Sequence, residues 1–247
     1  MREIPSAAPP RFFIDGPLAP GTDVALSERA ARHAGVLRLR PGDALDLFNG
    51  KGGEYRCTLT RAGKDSMRAR VLAWHDIERE SVIDITLAQG LSNGDRMDYA
   101  VQKATELGVR AIRPLVTERS VVRLSEERAD RRLLHWRSIV AAACEQCGRN
   151  RLPEVHPVAM LGALLAESDG DAQRLLLTTT GSVRLRDLPP AGKIMLVVGP
   201  EGGLTEDEEE RILRAGFLAV RFGPRVLRTE TAPLATIAAL QSMRGDA

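Results

Sequence analysis

The rhythm of apolar and polar positions changes near residue 80. Before that point, "RFFID" (11–15), "DALDLFNG" (43–50), "GEYRCTLTRA" (53–62) and "MRARVLAWH" (67–75) are short segments with partial period-two alternation. They are punctuated by "RPGD", "NGKGG" and "AGKD", which read as turns between strands. Asn49–Gly50, followed by Lys51, Gly52 and Gly53, predicts a hairpin. "SERAARHAGVL" (27–37) predicts one short helix with Ser27 as its N-cap. Several short strands with a single helix predict a small β-barrel over residues 1–75.

Beyond residue 80 strands alternate with helices. "VIDITLAQGL" (82–91) is almost continuously apolar, as in a sheet covered on both faces. "GDRMDYAVQKATELGV" (94–109) places Met97, Ala100, Val101, Ala104 and Leu107 at helical spacing, with Gly108 as terminator. "RAIRPLVTERS" (110–120) predicts a strand and residues 125–147 a long helix. Strands follow at 174–181, 193–200 and 218–223, with helices at 205–216 and 231–243. Thr229 or Thr231 is placed to cap the final helix, and Pro233 fits its first turn. This alternation predicts an α/β domain with a parallel sheet over residues 76–247. The polar stretch "WHDIERES" (74–81) marks the boundary.

Composition narrows the class. The apolar share of 43% supports a core without disulfides, and three cysteines, Cys57, Cys144 and Cys147, suit a reducing compartment. The opening residues lack the apolar core of a signal peptide, and no apolar run approaches the roughly 18 residues of a membrane span. The expectation is a soluble, cytoplasmic protein with no membrane partner. Net charge is +2, with local basic surpluses in residues 1–75 and 107–152. Basic regions rich in arginine permit a nucleic acid partner, and equally describe ordinary solvated faces.

The chemistry concentrates at two turns. In "LVVGPEGGLTEDEEER" (196–211) a buried-looking strand stops at Gly199–Pro200 and leads through Glu201, Gly202 and Gly203 to an acidic helix start. Ligands of open α/β sheets bind at such strand ends. Neither a P-loop nor a dinucleotide turn fits, because the segment lacks the lysine of the first and the glycine spacing of the second. The acids at 206–210 suit a helix N-terminus. Glu201 precedes the helix, and a carboxylate beside bare backbone suits a neutral or cationic ligand such as S-adenosylmethionine. The plain alternative is a tight turn whose glycines only supply positive φ. "GPRVLRTETAPLATIAAL" (223–240) repeats the strand, Gly-Pro, polar loop, helix pattern, with Arg225, Arg228 and Glu230 crowded together. Two such turns after neighbouring strands build one pocket.

"LVVGPEGGLTEDE" followed by "GPRVLRTETAPLAT", together with "RFFID", "HAGVLRLRPGDALDLFNGKGGEY", "QKATELGVRAIRPLVTERS" and "EQCGRNRLPEV", closely resembles the bacterial 16S ribosomal RNA uridine N3-methyltransferases of the SPOUT, or trefoil-knot, superfamily. The resemblance runs almost end to end. It implies a PUA-like RNA-binding barrel, a C-terminal domain with a deep trefoil knot, S-adenosyl-L-methionine as cofactor, a homodimer, and 3-methyluridine in the small ribosomal subunit as product. Mapped by residue, it sets the cofactor against Thr178, Thr179 and Thr180, then Val198, Gly199, Pro200, Glu201, Gly202 and Gly203, then Phe222, Gly223, Val226, Leu227, Arg228 and Thr229. A ribose 2′-O-methyltransferase and a non-catalytic RNA-binding assembly factor are the competing functions.

Methylation at uridine N3 needs alignment, charge stabilisation at the uracil oxygens and removal of the N3 proton. Arg228 is the candidate to hold the uracil or a phosphate, with a salt bridge to Glu230 or Glu201 as its alternative role. Glu230 is the candidate base, or else a helix cap or arginine partner. Arg11, Arg38, Arg40, Arg119, Arg123 and Arg149 are candidate RNA contacts. Cys144 and Cys147 have zinc or redox spacing but lie within a helix without partner ligands, so no metal is expected. Glu145, Gln146 and Arg149 are expected to face the pocket or a partner subunit, and His33 to be structural.

Overall fold

A computed structural model describes residues 8–63, 66–120, 125–167 and 170–247. Its contacts divide the chain into two units, Met1–Glu80 with Cys144–Leu152, and Ser81–Ala143 with Pro153–Ala247. Residues 144–152, which the sequence reading leaves in the second domain, pack with the first.

The first unit is a five-stranded sheet with one helix. Strands β1 (Arg11–Phe13), β2 (Asp23–Ala25), β3 (Ala44–Phe48), β4 (Glu54–Gly63) and β5 (Ser66–His75) take the order β1-β3-β4-β5-β2. β2 is a three-residue strand that alternation did not reveal. Asn49–Gly53 links the antiparallel β3 and β4, as the glycine cluster predicts. Register shifts between Arg56 and Cys57 and between Leu59 and Arg61 bend the β4–β5 hairpin. Helix α1 (Glu28–Val36) starts at Ser27, whose hydroxyl accepts the Ala30 N–H at 3.2 Å. Phe12, Leu45, Leu47, Cys57, Leu59, Ala69 and Val71 fill the interior.

The second unit is an all-parallel sheet of eight strands. They are β6 (Asp84–Gly90), β7 (Ala111–Val116), β8 (Glu154–Val155), β9 (Ala159–Met160), β10 (Gln173–Leu177), β11 (Val183–Arg184), β12 (Lys193–Val198) and β13 (Leu218–Arg221). Their order is β11-β13-β10-β12-β6-β7-β8, with β9 also on β7. The helices are α2 (Gly94–Glu106), α3 (Glu126–Cys147, of which Cys144–Cys147 belong to the first unit), α4 (Leu161–Ala166), α5 (Glu206–Arg214) and α6 (Thr231–Arg244). β6, β10 and β12 are central, and Ile85, Leu87, Leu175, Leu176, Leu196 and Val197 are almost fully buried. Each such side chain contributes about 1.5–3 kcal/mol of burial. Continuous apolar runs therefore read correctly as two-faced strands.

Local signals fix most helix ends. Thr205 and Glu208 form a reciprocal capping box on α5, and Gly216 closes that helix at φ 87°. Gly108 does the same for α2 at φ 85°. The start of α6 corrects the sequence reading. Its N-cap is Glu230, which makes no side-chain capping bond, and neither Thr229 nor Thr231 fills that role. Thr229 is buried and turned inward, because its hydroxyl has better partners elsewhere. The pieces β8, β9, β11 and α4 carry two to six residues each, too short to show a period.

Candidate functional site

The parallel register sets Leu177 level with Val198 on one side and Val220 on the other, so β13, β10 and β12 end together. Their carboxyl ends open into a cavity of about 690 Å³. Three loops form most of its wall: Leu177–Thr179 after β10, Val198–Leu204 after β12, and Arg221–Thr229 after β13. Arg96 of α2, Glu209 of α5 and Ala232 of α6 complete it. The two Gly-Pro turns thus do face one pocket.

Why the loops sit so close is written in small residues and one buried polar node. A Cβ on Gly90, at the end of β6, would lie 2.5 Å from the Pro200 nitrogen, so only glycine lets the strand end and the turn meet. In the turn itself positive φ is required at Gly203 (70°) and, in the second loop, at Gly223 (68°). Thr229 donates to the Gly199 carbonyl at 2.8 Å and accepts from the Gln89 amide at 3.1 Å. Gln89 also donates to the carbonyls of Gly90 (3.2 Å) and Gly199 (3.3 Å). This node joins β6, the loop after β12 and the segment entering α6. Gln89 is 1% exposed.

The carboxylates are placed unequally. Glu201 Oε1 accepts the Asn93 backbone N–H at 2.8 Å and pairs with Arg96 at 3.3 Å, while its Oε2 is buried without a hydrogen-bond partner. Glu230 lies outside the cavity lining, 3.9 Å from Arg96, and its Oε2 is likewise buried and unbonded. Glu209 accepts from the Thr178 hydroxyl at 3.1 Å. Arg228 lines the cavity, is exposed, and makes no side-chain ion pair among the described residues. The arginine that Glu201 and Glu230 share is Arg96, so the salt-bridge alternative for Arg228 is not what the structure holds.

Of the residues mapped to the cofactor, Thr178, Thr179, Val198, Gly199, Pro200, Glu201, Gly203, Phe222, Gly223, Val226, Leu227, Arg228 and Thr229 line the cavity. Thr180 and Gly202 stand just outside. Thr180 Oγ1 is 3.2 Å from Thr178 Oγ1, and Gly202 is covered by Arg119, whose guanidinium donates to the carbonyls of Gly202 and Leu204 at 3.2 Å each. Arg96, Gln89 and Glu209 were missed from the sequence. Arg96 carried a usable signal: a cation in the first turn of a helix opposes the macrodipole and needs nearby carboxylates.

Two candidate RNA contacts are corrected. Arg149 is 3% exposed and donates to Glu80 through its Nε and its Nη2. Arg11 stacks over Phe48 at 5.0 Å, pairs with Glu54, and donates to Asn150 Oδ1 at 2.7 Å and the carbonyls of Gly148 and Arg149. Both are interior struts of the first unit. Glu145, expected to face the pocket or a partner, is instead buried, accepting the Phe13 N–H at 2.9 Å and pairing with Arg29. Gln146 is exposed, and Arg38 and Arg40 are exposed on the same unit. Arg123 lies outside the described residues. His33 packs edge-on against Phe12 at 5.5 Å. Among the described residues no group of three or more His, Cys, Asp or Glu is arranged to hold a metal, and no helix is long and apolar enough to cross a membrane.

A cavity at parallel strand ends, walled by backbone loops and carboxylates rather than a phosphate loop, defines a nucleoside-type site of the α/β class. The model of the RNA methyltransferase domain matches residues 78–241, and that of the RNA methyltransferase PUA domain matches residues 26–72. The chain therefore belongs to the RNA methyltransferase family, with the PUA-type N-terminal domain. It is 34% identical over 225 residues to the ribosomal RNA small subunit methyltransferase E of Bacillus subtilis (strain 168), covering 85% of this chain and 88% of that one. A crystal structure of the enzyme of that name from Neisseria gonorrhoeae, bound to S-adenosyl methionine, is 44% identical with a TM-score of 0.90, covering 96% of this chain and 99% of the other. A putative methyltransferase from Legionella pneumophila, in complex with the same cofactor, is 38% identical with a TM-score of 0.93, at 97% and 99% coverage.

Proposed function

We propose that the protein transfers a methyl group from S-adenosyl-L-methionine to N3 of a uridine in the 16S ribosomal RNA of the small subunit. The observation that carries the reading is the three-loop cavity with the Glu201 carboxylate fixed at its wall and one buried oxygen left over. About 690 Å³ suits a nucleoside cofactor. Glu201 and Glu209 suit its amine and sulfonium charges, and among the described residues no lysine lines the cavity to favour polyphosphate. Backbone groups of 178–179, 198–203 and 222–229 are the proposed cradle. The chemistry supplied there is a methyl group on positively charged sulfur.

The chain's own residues do the rest. Arg228, which lines the cavity without an ion pair among the described residues, holds the uracil or its phosphate and offsets charge that grows on the uracil oxygens. Glu230, which directly follows the lining residues Arg228 and Thr229, is the proposed acceptor of the N3 proton. N3 lies on the pairing edge, so the uridine enters unpaired or extruded. Arg38, Arg40 and Arg119 remain the proposed RNA contacts, with the PUA-type unit as the binding domain. We also propose the trefoil knot. Supporting it, β10 separates β12 from β13, and the chain leaving β13 returns past Gly199 to reach α6, which packs on α2 and β12. A homodimer acting in the cytoplasm is part of the same reading. Tyr99 and Leu134, exposed on α2 and α3, are suited to a protein contact.

The test is transfer of labelled methyl from S-adenosylmethionine to unmodified small subunits, followed by nucleoside mass spectrometry. 3-Methyluridine is the expected product. A ribose-methylated nucleoside would move the chain to 2′-O chemistry, and absence of cofactor binding would remove the reading altogether.

A further inference from the structure

Arg96 occupies an unusual place. It stands in the first turn of α2, where the helix dipole disfavours a cation. It reaches Glu201 in one loop at 3.3 Å and Glu230 in the other at 3.9 Å. Each carboxylate keeps one buried oxygen without a hydrogen bond. One guanidinium facing two carboxylates leaves the cluster a net negative charge beside the cavity.

We propose that Arg96 is a positioning residue that ties the cofactor loop to the loop bearing the proton acceptor, and that Glu230 depends on it more than Glu201 does. This rests on the functional reading above. The asymmetry follows from the partners. Glu201 has a second anchor, the Asn93 N–H at 2.8 Å, whereas Arg96 is the one cation that Glu230 meets among the described residues. Glu230 is also the N-cap of α6 without a side-chain capping bond, so no hydrogen bond to the helix start fixes its carboxylate. Without Arg96, two carboxylates would share the site with no cation between them and would be pushed apart. Glu201 would stay on the α2 N-terminus, and Glu230 would turn away.

The experiment compares wild type with Arg96→Ala, Arg96→Lys, Glu230→Gln and the Arg96→Ala/Glu230→Gln double variant. Arg96 is 45% exposed at its side chain, so the substitutions leave the core intact. In the free protein, hydrogen exchange is expected to speed up by roughly tenfold at amides 226–231 in Arg96→Ala and much less at 199–203, with Arg96→Lys close to wild type. Calorimetric affinity for S-adenosylmethionine should change by no more than about threefold, since an exposed pair contributes little and Asn93 still holds Glu201. Single-turnover methylation at saturating cofactor and RNA should fall by roughly tenfold to a hundredfold and recover in Arg96→Lys. In the Glu230→Gln background, removing Arg96 should have little further effect. Equal losses of affinity and rate, or unchanged exchange at 226–231, would overturn the proposal. Should wild type fail to methylate ribosomal RNA, the functional reading falls. The exchange comparison in the free protein still decides Arg96: faster exchange at 226–231 supports it and unchanged exchange overturns it.

Discussion

Thr229 offers the sharpest test of how the two loops are held. Valine keeps its shape and removes only the hydroxyl, which donates to Gly199 at 2.8 Å and accepts from Gln89 at 3.1 Å. Each neutral bond has a net worth of about 1 kcal/mol, and orphaned partners add a desolvation cost. Here the partners are not fully orphaned. The Gly199 carbonyl keeps the Gln89 amide at 3.3 Å, and that amide keeps Gly90 at 3.2 Å. Thr229→Val should therefore cost about 1–2 kcal/mol rather than the 3 or more of a broken network. For a chain of this length that is a fall of about 2–8 °C in Tm. Thr231→Ala is the matched control, because Thr231 is exposed and forms no cap, and its effect should stay within about 0.5 kcal/mol. Differential scanning calorimetry at fixed protein concentration reads both, with concentration held because association would shift the midpoint. A cycle with Gln89→Met should show coupling of about 1 kcal/mol. If Thr229→Val matches wild type, or Thr231→Ala loses as much, the inward node is not what secures the loops and the capping role returns.

Two further outcomes follow from the first unit and its boundary. Burial pushes the Glu54 carboxyl up, but the hydrogen bond from Arg79 and the charges of Arg11 and Arg79 outweigh it and hold it below its ordinary range. Its stabilisation is therefore complete above the unfolded value of about 4.3 and is lost as pH falls through the lower folded value. Glu54→Gln should cost about 1–3 kcal/mol at pH 7 in urea unfolding, with the gap to wild type closing toward pH 3. A gap as wide at pH 3 as at pH 7 would count against the pair. Burial pushes the Cys57 thiol up to about 12, and Cys144 is raised by its hydrogen bond with Cys147 and by burial. Alkylation of the native protein at pH 8 should spare Cys57 and Cys144, whereas denatured protein should label at all three cysteines. Rapid native labelling of Cys57 would contradict its burial.

Elements with a long period were legible from the chain, and those held by partners distant in sequence were not. β6, β10 and β12 are mostly apolar runs, and α2 and α5 carry both a stripe and a terminator, so pattern alone locates them. Residues 144–152 carry no such mark. They join the first unit because Asn150 donates to the Ile77 carbonyl at 2.5 Å and Arg149 meets Glu80, bonds that bridge about seventy positions. Arg11 and Arg149 looked like RNA ligands for the same reason: an arginine's partners cannot be read from its neighbours, and burial turns a would-be phosphate contact into a strut.

The site divides along the same line. Its loops were readable because glycine, proline and a strand end announce a turn locally. What the loops do to one another was not, since Glu201 and Glu230 meet through Arg96, which lies more than a hundred residues before either. Yet the conflict was visible. A first-turn arginine on α2 sits against the dipole, and Glu201 stands in its Gly-Pro segment with no cation beside it in the chain. A cation set against its helix dipole and an anion without a neighbouring cation make a consistent pair only if the fold brings them together, and the parallel sheet does so by ending β6, β12 and β13 on one side. Local rules broken in pairs of opposite sign are thus a sequence-level pointer to a site, because a fold tolerates each violation only where the other compensates it.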